Sequence, residues 1–267
     1  MKTENLGAVI ALSLTIAACG TAGGPTVDVE GDEPVLQIAS EGGFVPVEIS
    51  LGDGPRYTLL GDGSLIAQGV QTLEYPGRLV PPYMIGTLDD DQMAQVIGLV
   101  EEIGLPDIVD QTDDRAASRV ADAGTEVVTF WDDEGEHRLA VYALGIDRSP
   151  SDRNAAFLEL IETLARFAAE MSTEPYEAER VRIVAGPGAV EPEFEEIRDW
   201  PLEPTDFSEW DELANGWHCT VVDGPVPRVF EDATQATLWE HPERGKTKLL
   251  VRPLHPGEPD CPSSSQP

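Results

Sequence analysis

Residues 56–67, RYTLLGDGSLIA, decide the fold class because they read as two short apolar strands on either side of a tight turn. Gly-Asp-Gly at positions 61–63 supplies the residue types that a β-hairpin turn prefers. The Asp62-Gly63 pair could instead belong to a metal-binding loop, but turn chemistry explains it without a ligand. The sequence therefore predicts an antiparallel hairpin at this point.

Two amphipathic helices and a second hairpin follow. Apolar residues recur at helical spacing over Leu88–Ile103, with Thr87 as the predicted N-cap, and again over Arg153–Met171. Between them, Thr125–Trp131 and His137–Leu144 flank an acidic turn. This order predicts an α+β fold, in which helices pack on a mostly antiparallel sheet. Further strands are predicted at 35–38, at 45–49, where Val and Ile alternate with Pro and Glu, and at 181–184.

The remaining sequence predicts a smaller C-terminal unit. Strand-like residues at 217–222 and 248–254 enclose a short helix candidate at 227–238, which gives a strand-helix-strand order. The predicted organisation is a signal peptide at 1–18, a flexible tether at 19–33, an α+β domain at 34–188, a smaller α+β unit at 189–261 and a disordered tail at 262–267.

The charge of the chain excludes some classes of partner. Lys and Arg number 17 against 50 Asp and Glu, so the formal net charge is −33, while 41% of the residues are hydrophobic and can form a core. Nucleic-acid binding needs clustered Lys and Arg, and docking on anionic lipid needs a polybasic face. The only lysines are Lys2, Lys246 and Lys248. We therefore expect no nucleic-acid partner.

The amino terminus, MKTENLGAVIALSLTIAAC, predicts export. Its apolar run, from Leu6 to Ala18, is shorter than the roughly 20 residues that cross a membrane and suits a signal peptide. It ends in Ile16-Ala17-Ala18-Cys19, which resembles the lipobox of bacterial lipoprotein precursors. That resemblance implies cleavage between Ala18 and Cys19 and a diacylglyceryl group on Cys19. The alternatives are an ordinary secretory signal, or a buried first element of the fold.

The chain has three cysteines, an odd number for an exported protein. Lipidation of Cys19 would leave Cys219 and Cys261, which an oxidising compartment would join as a disulfide. The alternative is a pair of free, buried thiols.

Three longer segments, at 36–66, 87–106 and 237–261, resemble uncharacterised actinobacterial secreted lipoproteins. The last of them, TLWEHPERGKTKLLVRPLHPGEPDC, ends in the pattern LVRPL-x-P-x-E-x-x-C. The resemblance implies a fold and an export route, with a lipid anchor on the extracytoplasmic face of the cell membrane. It implies no catalytic residues, because no activity is established for the group.

The sequence contains no motif that assigns a catalytic residue, a metal ligand or a cofactor. None of the four histidines has zinc-protease spacing, and no nucleophile-elbow or phosphate-loop motif is present. His218, Cys219, His255 and Cys261 could form a zinc site, but a disulfide would use the same sulfur atoms. The acidic run at 89–91 suits a helix start better than a cation site.

Acid pairs and aromatic residues suggest two further kinds of functional site. Glu101-Glu102 and Glu195-Glu196 could serve hydrolysis only if the fold placed them about a cleft. Trp200, Trp210 and Trp217, with Phe194 and Phe207, could line a carbohydrate or peptide groove, but a core that joins the lobes explains them more simply.

These observations favour a non-enzymatic, lipid-anchored protein with a binding or envelope-support role. Its expected partners are the membrane, through the lipid, and an unknown protein or small molecule. Two alternatives remain: an envelope hydrolase that uses acidic residues, and a binding protein stabilised by divalent cations, which dense carboxylates attract.

Overall fold

The computed structural model describes residues 31–71, 74–146, 150–188, 190, 194–203 and 206–262. The predicted signal peptide, Cys19, residues 20–30 of the tether and residues 263–267 of the predicted tail lie outside the described residues. No helix in the described part of the chain is both long enough and apolar enough to cross a membrane.

The first lobe is an eight-stranded sheet with two long helices packed on it. The strand order is β5-β7-β6-β1-β2-β3-β4-β8, and every pairing is antiparallel except that of β5 with β7. The elements are β1 (Pro34–Glu41), α1 (Val47–Gly52), β2 (Tyr57–Leu60), β3 (Ser64–Gln68), β4 (Tyr83–Thr87), α2 (Asp90–Ile103), β5 (Asp110–Asp113), β6 (Thr125–Asp132), β7 (Gly135–Tyr142), α3 (Asp152–Glu170) and β8 (Glu174–Pro175).

The second lobe is a six-stranded sheet in the order β10-β13-β14-β9-β12-β11. Its strands are β9 (Arg180–Pro187), β10 (Glu196–Asp199), β11 (Asp211–Glu212), β12 (His218–Asp223), β13 (Thr237–His241) and β14 (Gly245–Pro253). Only β10 and β13 pair in parallel. The two mostly antiparallel sheets and the helices packed on the first confirm the α+β prediction.

The apolar residues that recur at helical spacing along α2 and α3 lie in the core of the first lobe. Val96, Val100 and Ile103 of α2 are buried together with Phe157 and Leu164 of α3. Residues three and four apart fall on one side of a helix, so these positions form the apolar faces that cover the sheet. The predicted helices are correct in place and differ from the structure by one or two residues at their ends.

The cap of α2 is Asp89 rather than the predicted Thr87. The Asp89 carboxylate accepts from the backbone N–H of Gln92, and the Gln92 side chain accepts from the backbone N–H of Asp89, at 2.9 Å each. This reciprocal capping box satisfies two N–H groups at the helix start. The acidic run at 89–91 therefore stabilises the start of a helix, as the sequence predicted.

The strand predicted at 45–49 is wrong, because α1 begins at Val47. Val47 and Leu51 lie four residues apart and pack against a buried cluster of the second lobe that contains Trp217 and Cys219. That spacing places both side chains on one side of a helix. Alternation of Val and Ile with Pro46 and Glu48 imitated a strand, although Pro46 ends up just before the helix.

Two further differences concern the second lobe. The sequence placed residues 181–184 in the domain at 34–188, whereas β9 lies in the interior of the second sheet between β14 and β12. Hydrogen-bonding partners of a strand are distant in sequence, so a local pattern does not identify them. The predicted helix at 227–238 is a 3₁₀ turn, Arg228–Phe230, followed by the start of β13 at Thr237. The β-branched and aromatic residues there favour a strand.

The predicted disulfide is present. Cys219 of β12 is bonded to Cys261, with the Cα atoms 6.0 Å apart. The bond attaches the segment after β14 to β12, and it removes both sulfur atoms from the zinc alternative.

Candidate functional site

The two lobes make contact through the segment between β3 and β4, of which residues 69–71 and 74–82 are described and are here called the arm. The Leu79 backbone N–H donates to the Ala233 carbonyl, and the Gln235 N–H donates to the Gly77 carbonyl, both at 2.9 Å. Leu79 is also buried in the core of the second lobe. The arm is therefore held on the second lobe by backbone pairing and by apolar contact.

Helix α1 makes the second contact between the lobes. It packs on β14, and Val47 and Leu51 contact the same buried cluster as Leu250 of that strand. Ile49, on the other side of this short helix, is 47% exposed. The helix thus covers part of the second sheet and leaves an apolar residue facing outward.

Between the arm, α1 and β14 lies an interlobe cleft of about 580 Å³. Small-molecule sites commonly have volumes of about 300–1,000 Å³ and are mostly apolar with a few polar groups. Glutamine side chains at 68, 71 and 235 supply neutral hydrogen-bonding groups. The apolar lining consists of Ile49, Val70, Leu79, Pro81, Pro82, Leu249, Leu250 and Val251.

The charged lining differs from the rest of this acidic protein. Three cations, Arg56, Arg78 and Lys248, line the cleft with two acidic residues, Glu48 and Asp53. Arg56 forms an ion pair with Glu126, outside the lining. Arg78 and Lys248 form no ion pair with any residue that the structure describes. In a chain with a net charge of −33, these two cations are unusual.

A buried ion pair lies next to the cleft. The Arg252 guanidinium donates two hydrogen bonds to the Glu258 carboxylate, at 2.7 and 2.8 Å, and their side chains are only 3% and 8% exposed. The Glu258 carboxylate also accepts from the His255 backbone N–H at 2.8 Å. Bidentate geometry of this kind is the strongest form of side-chain ion pair. A side chain at Gly54, in the cleft lining, would overlap the Arg252 guanidinium.

Two titratable groups of the lining interact with this pair. Burial raises the pKa of Tyr83 to about 12, and the nearby Arg252 only partly offsets this. Burial also raises the pKa of Asp53, and Arg252 again acts in the opposite direction. Arg252 therefore favours the ionised form of Asp53, while the larger effect of burial disfavours it.

His255 connects the two lobes beneath the cleft. Its Nδ1 lies 2.8 Å from Oγ1 of the buried Thr58 on β2, and its ring packs edge-on against Tyr83 at 4.4 Å. Burial lowers the pKa of His255 to about 4, although Glu258 acts in the opposite direction. His255 is consequently neutral at pH 7. Gln37 of β1 adds a further bond between the lobes, to the Pro256 carbonyl at 2.8 Å.

His255 predicts a loss of stability in acid. Its folded pKa of about 4 lies below its unfolded value of 6.5, so the unfolded chain binds more protons between these values. The free energy of unfolding should fall as the pH is lowered from 6.5 to 4, and the His255 contribution is about 3 kcal/mol. We expect His255→Asn to lose correspondingly less stability over this range in urea titrations at each pH.

His137 provides the control for this measurement. Burial lowers its pKa, but hydrogen bonds to Asp132, at 2.9 Å, and to the Ile108 carbonyl outweigh burial, and the pKa is raised. Its contribution is thus present in acid and is lost as the pH rises through the folded pKa. His137→Asn should not reduce the acid loss. An equal acid loss in wild type and His255→Asn would contradict the assignment to His255.

The residue groups that the sequence singled out lie elsewhere. Glu101 and Glu102 are exposed on α2, and Glu195 and Glu196 form surface ion pairs with Lys246 and Arg198. Neither acid pair is among the described residues that line the cleft. Ala18 and Cys19 lie outside the described residues. The described residues contain no group of three or more His, Cys, Asp or Glu side chains placed to hold a metal ion.

The tryptophans are core residues rather than a groove. Trp200, Phe207 and Trp210 pack on one another and belong to the core that also contains Leu79 of the arm. Trp217 is buried in a separate cluster with Cys219. The sequence predicted one aromatic core that joins the lobes. The structure instead has two separate clusters, and the arm belongs to one of them.

Sequence reasoning missed the cleft, because its residues come from three distant segments. Arg78, Lys248 and Glu48 lie in segments that have no common motif. The one usable signal was the scarcity of lysine, which makes Lys248 conspicuous. No protein-family model, curated protein or solved structure matches the chain.

Proposed function

We propose that this chain is a lipid-anchored, extracytoplasmic binding protein whose ligand occupies the interlobe cleft. The observation that carries the proposal is the cleft itself, with a volume of about 580 Å³ and a mostly apolar lining. Clefts between two lobes are common positions for ligand sites.

The surroundings of the cleft support a preformed site. One wall belongs to the interior of the second sheet, because β14 pairs with both β13 and β9. The arm is fixed by hydrogen bonds to the segment at 233–235, and the ion pair of Arg252 with Glu258 lies next to the cleft. A site built on fixed elements binds without a large ordering cost.

The proposed location is supported by sequence and by the disulfide. The lipobox-like segment ending in Cys19 would supply the anchor, and disulfides such as Cys219–Cys261 persist in oxidising compartments outside the cytosol. A body with a net charge of −33 would be repelled by anionic headgroups. A tether would then keep the cleft away from the membrane surface.

The binding proposal is tested with N-phenyl-1-naphthylamine, a neutral apolar dye that fluoresces on leaving water. We expect the wild-type protein to bind it with saturation, and Ile49→Trp to reduce the bound fraction at least fivefold by filling the cleft. Val109→Trp is the matched control, because Val109 is 82% exposed and lies outside the cleft lining. Equal dye binding by wild type and Ile49→Trp, or no saturable binding to wild type of either this dye or an anionic dye with the same aromatic body, would refute the proposal.

The anchor is tested separately by Cys19→Ser. In a bacterial host that processes lipoproteins, we expect this variant to leave the membrane fraction, because it lacks the thiol that accepts the lipid. Thr21→Ser, two residues further along, should remain in that fraction. Retention of Cys19→Ser that still requires detergent for release would show that lipidation of Cys19 is not the anchor.

A further inference from the structure

We infer that the ligand of the interlobe cleft is a small amphiphilic anion, a single molecule with a carboxylate, phosphate or sulfonate head and an apolar body. The inference rests on the proposed function, since it specifies what the same cleft binds. The juxtaposition that carries it is that of Arg78 and Lys248, two cations without ion-pair partners among the described residues, with an apolar lining.

The two cations come from different segments of the cleft lining. Arg78 belongs to the arm, which the first lobe extends, whereas Lys248 is on β14 of the second lobe. Arg78 is exposed and Lys248 is half-buried, so both are accessible to a ligand. An anion bound between them would contact both lobes at once.

The acidic residues of the lining equal its unpaired cations in number. Arg56 is paired with Glu126 and Arg252 with Glu258, which leaves Arg78 and Lys248 with Glu48 and Asp53. Neither cation forms an ion pair with either carboxylate. In a protein with a net charge of −33, the cleft is thus a place where two cations stay available to an anion.

Desolvation decides between an anionic and a neutral ligand. A neutral ligand would displace water from Arg78 and Lys248 without replacing its hydrogen bonds, which is costly. An oxyanion head would instead accept charge-assisted hydrogen bonds from both side chains. The apolar lining formed by Ile49, Pro81 and Leu250 favours an apolar body next to that head. The acidic remainder of the surface repels anions, so attraction is concentrated in the cleft.

The test compares two dyes that differ in one group. The first is N-phenyl-1-naphthylamine, and the second is 8-anilinonaphthalene-1-sulfonate, which adds a sulfonate to the same aromatic body. We expect the sulfonate dye to bind wild type more tightly than the neutral dye. The double variant Arg78→Gln, Lys248→Gln should weaken sulfonate-dye binding about tenfold, and neutral-dye binding by less than twofold.

The matched control is Arg228→Gln, Lys246→Gln, which removes the same number of cations outside the cleft lining. It should change sulfonate-dye binding by less than twofold, which separates a local effect from net charge. Glu48→Gln should strengthen sulfonate-dye binding about threefold, because it removes the opposing carboxylate. Unchanged melting temperatures verify that each variant folds.

The outcomes separate the two proposals. If Ile49→Trp abolishes dye binding but the Arg78 and Lys248 double variant binds the sulfonate dye like wild type, the cleft binds ligands and the anion inference is wrong. If both double variants weaken the sulfonate dye equally, the attraction comes from net charge and the inference is again wrong. If Ile49→Trp has no effect on either dye, the proposed function itself fails.

Discussion

Glu258→Gln is expected to lower the free energy of unfolding by about 3–5 kcal/mol at pH 7. The substitution keeps the shape of the side chain but removes the negative charge that balances Arg252, whose side chain is only 3% exposed. An uncompensated buried charge costs far more than a surface ion pair contributes. Urea denaturation followed by circular dichroism measures the change directly.

Glu195→Gln is the matched control, because the same substitution there breaks the surface pair with Lys246. Its expected cost is below about 1 kcal/mol. The double variant Arg252→Met, Glu258→Met should be more stable than Glu258→Gln, because no buried charge is left unpaired. A cost for Glu258→Gln no larger than that for Glu195→Gln would show that the buried pair contributes no more to stability than a surface pair does.

Removal of the disulfide is the second large effect. Cys219 and Cys261 are 42 residues apart, and in the chain-entropy model closing such a loop stabilises the fold by about 4 kcal/mol. The double variant Cys219→Ala, Cys261→Ala should lose about this much in urea denaturation. The wild-type protein treated with reductant is the control and should show the same loss. A change below about 1 kcal/mol in both samples would contradict the prediction.

Periodic features of the fold were predictable from sequence because their pattern is local. The apolar spacing of α2 and α3 and the turn at 61–63 identify elements without knowledge of their partners. The disulfide was also predictable from the sequence, because the lipobox-like segment would account for Cys19 and leave one pair of cysteines. These features fixed the α+β class.

Features that depend on distant contacts were not predictable. Helix α1 is only six residues long and is stabilised by packing on β14, so its own sequence could also indicate a strand. β5 is an edge strand of polar residues without alternation, so no local pattern predicts it. The cleft requires the arm, α1 and β14 to come together. The two unpaired cations of its lining, Arg78 and Lys248, come from segments that are far apart in the chain.

The most direct test of the cleft as the ligand site is amide chemical-shift mapping of the ¹⁵N-labelled protein with 8-anilinonaphthalene-1-sulfonate. We expect the largest saturable shifts at α1, in the arm and at residues 248–251 of β14, and no comparable shifts on α2 or α3. If the largest saturable shifts lay on α2 and α3, or if the cleft residues did not shift, the interlobe cleft would not be the binding site.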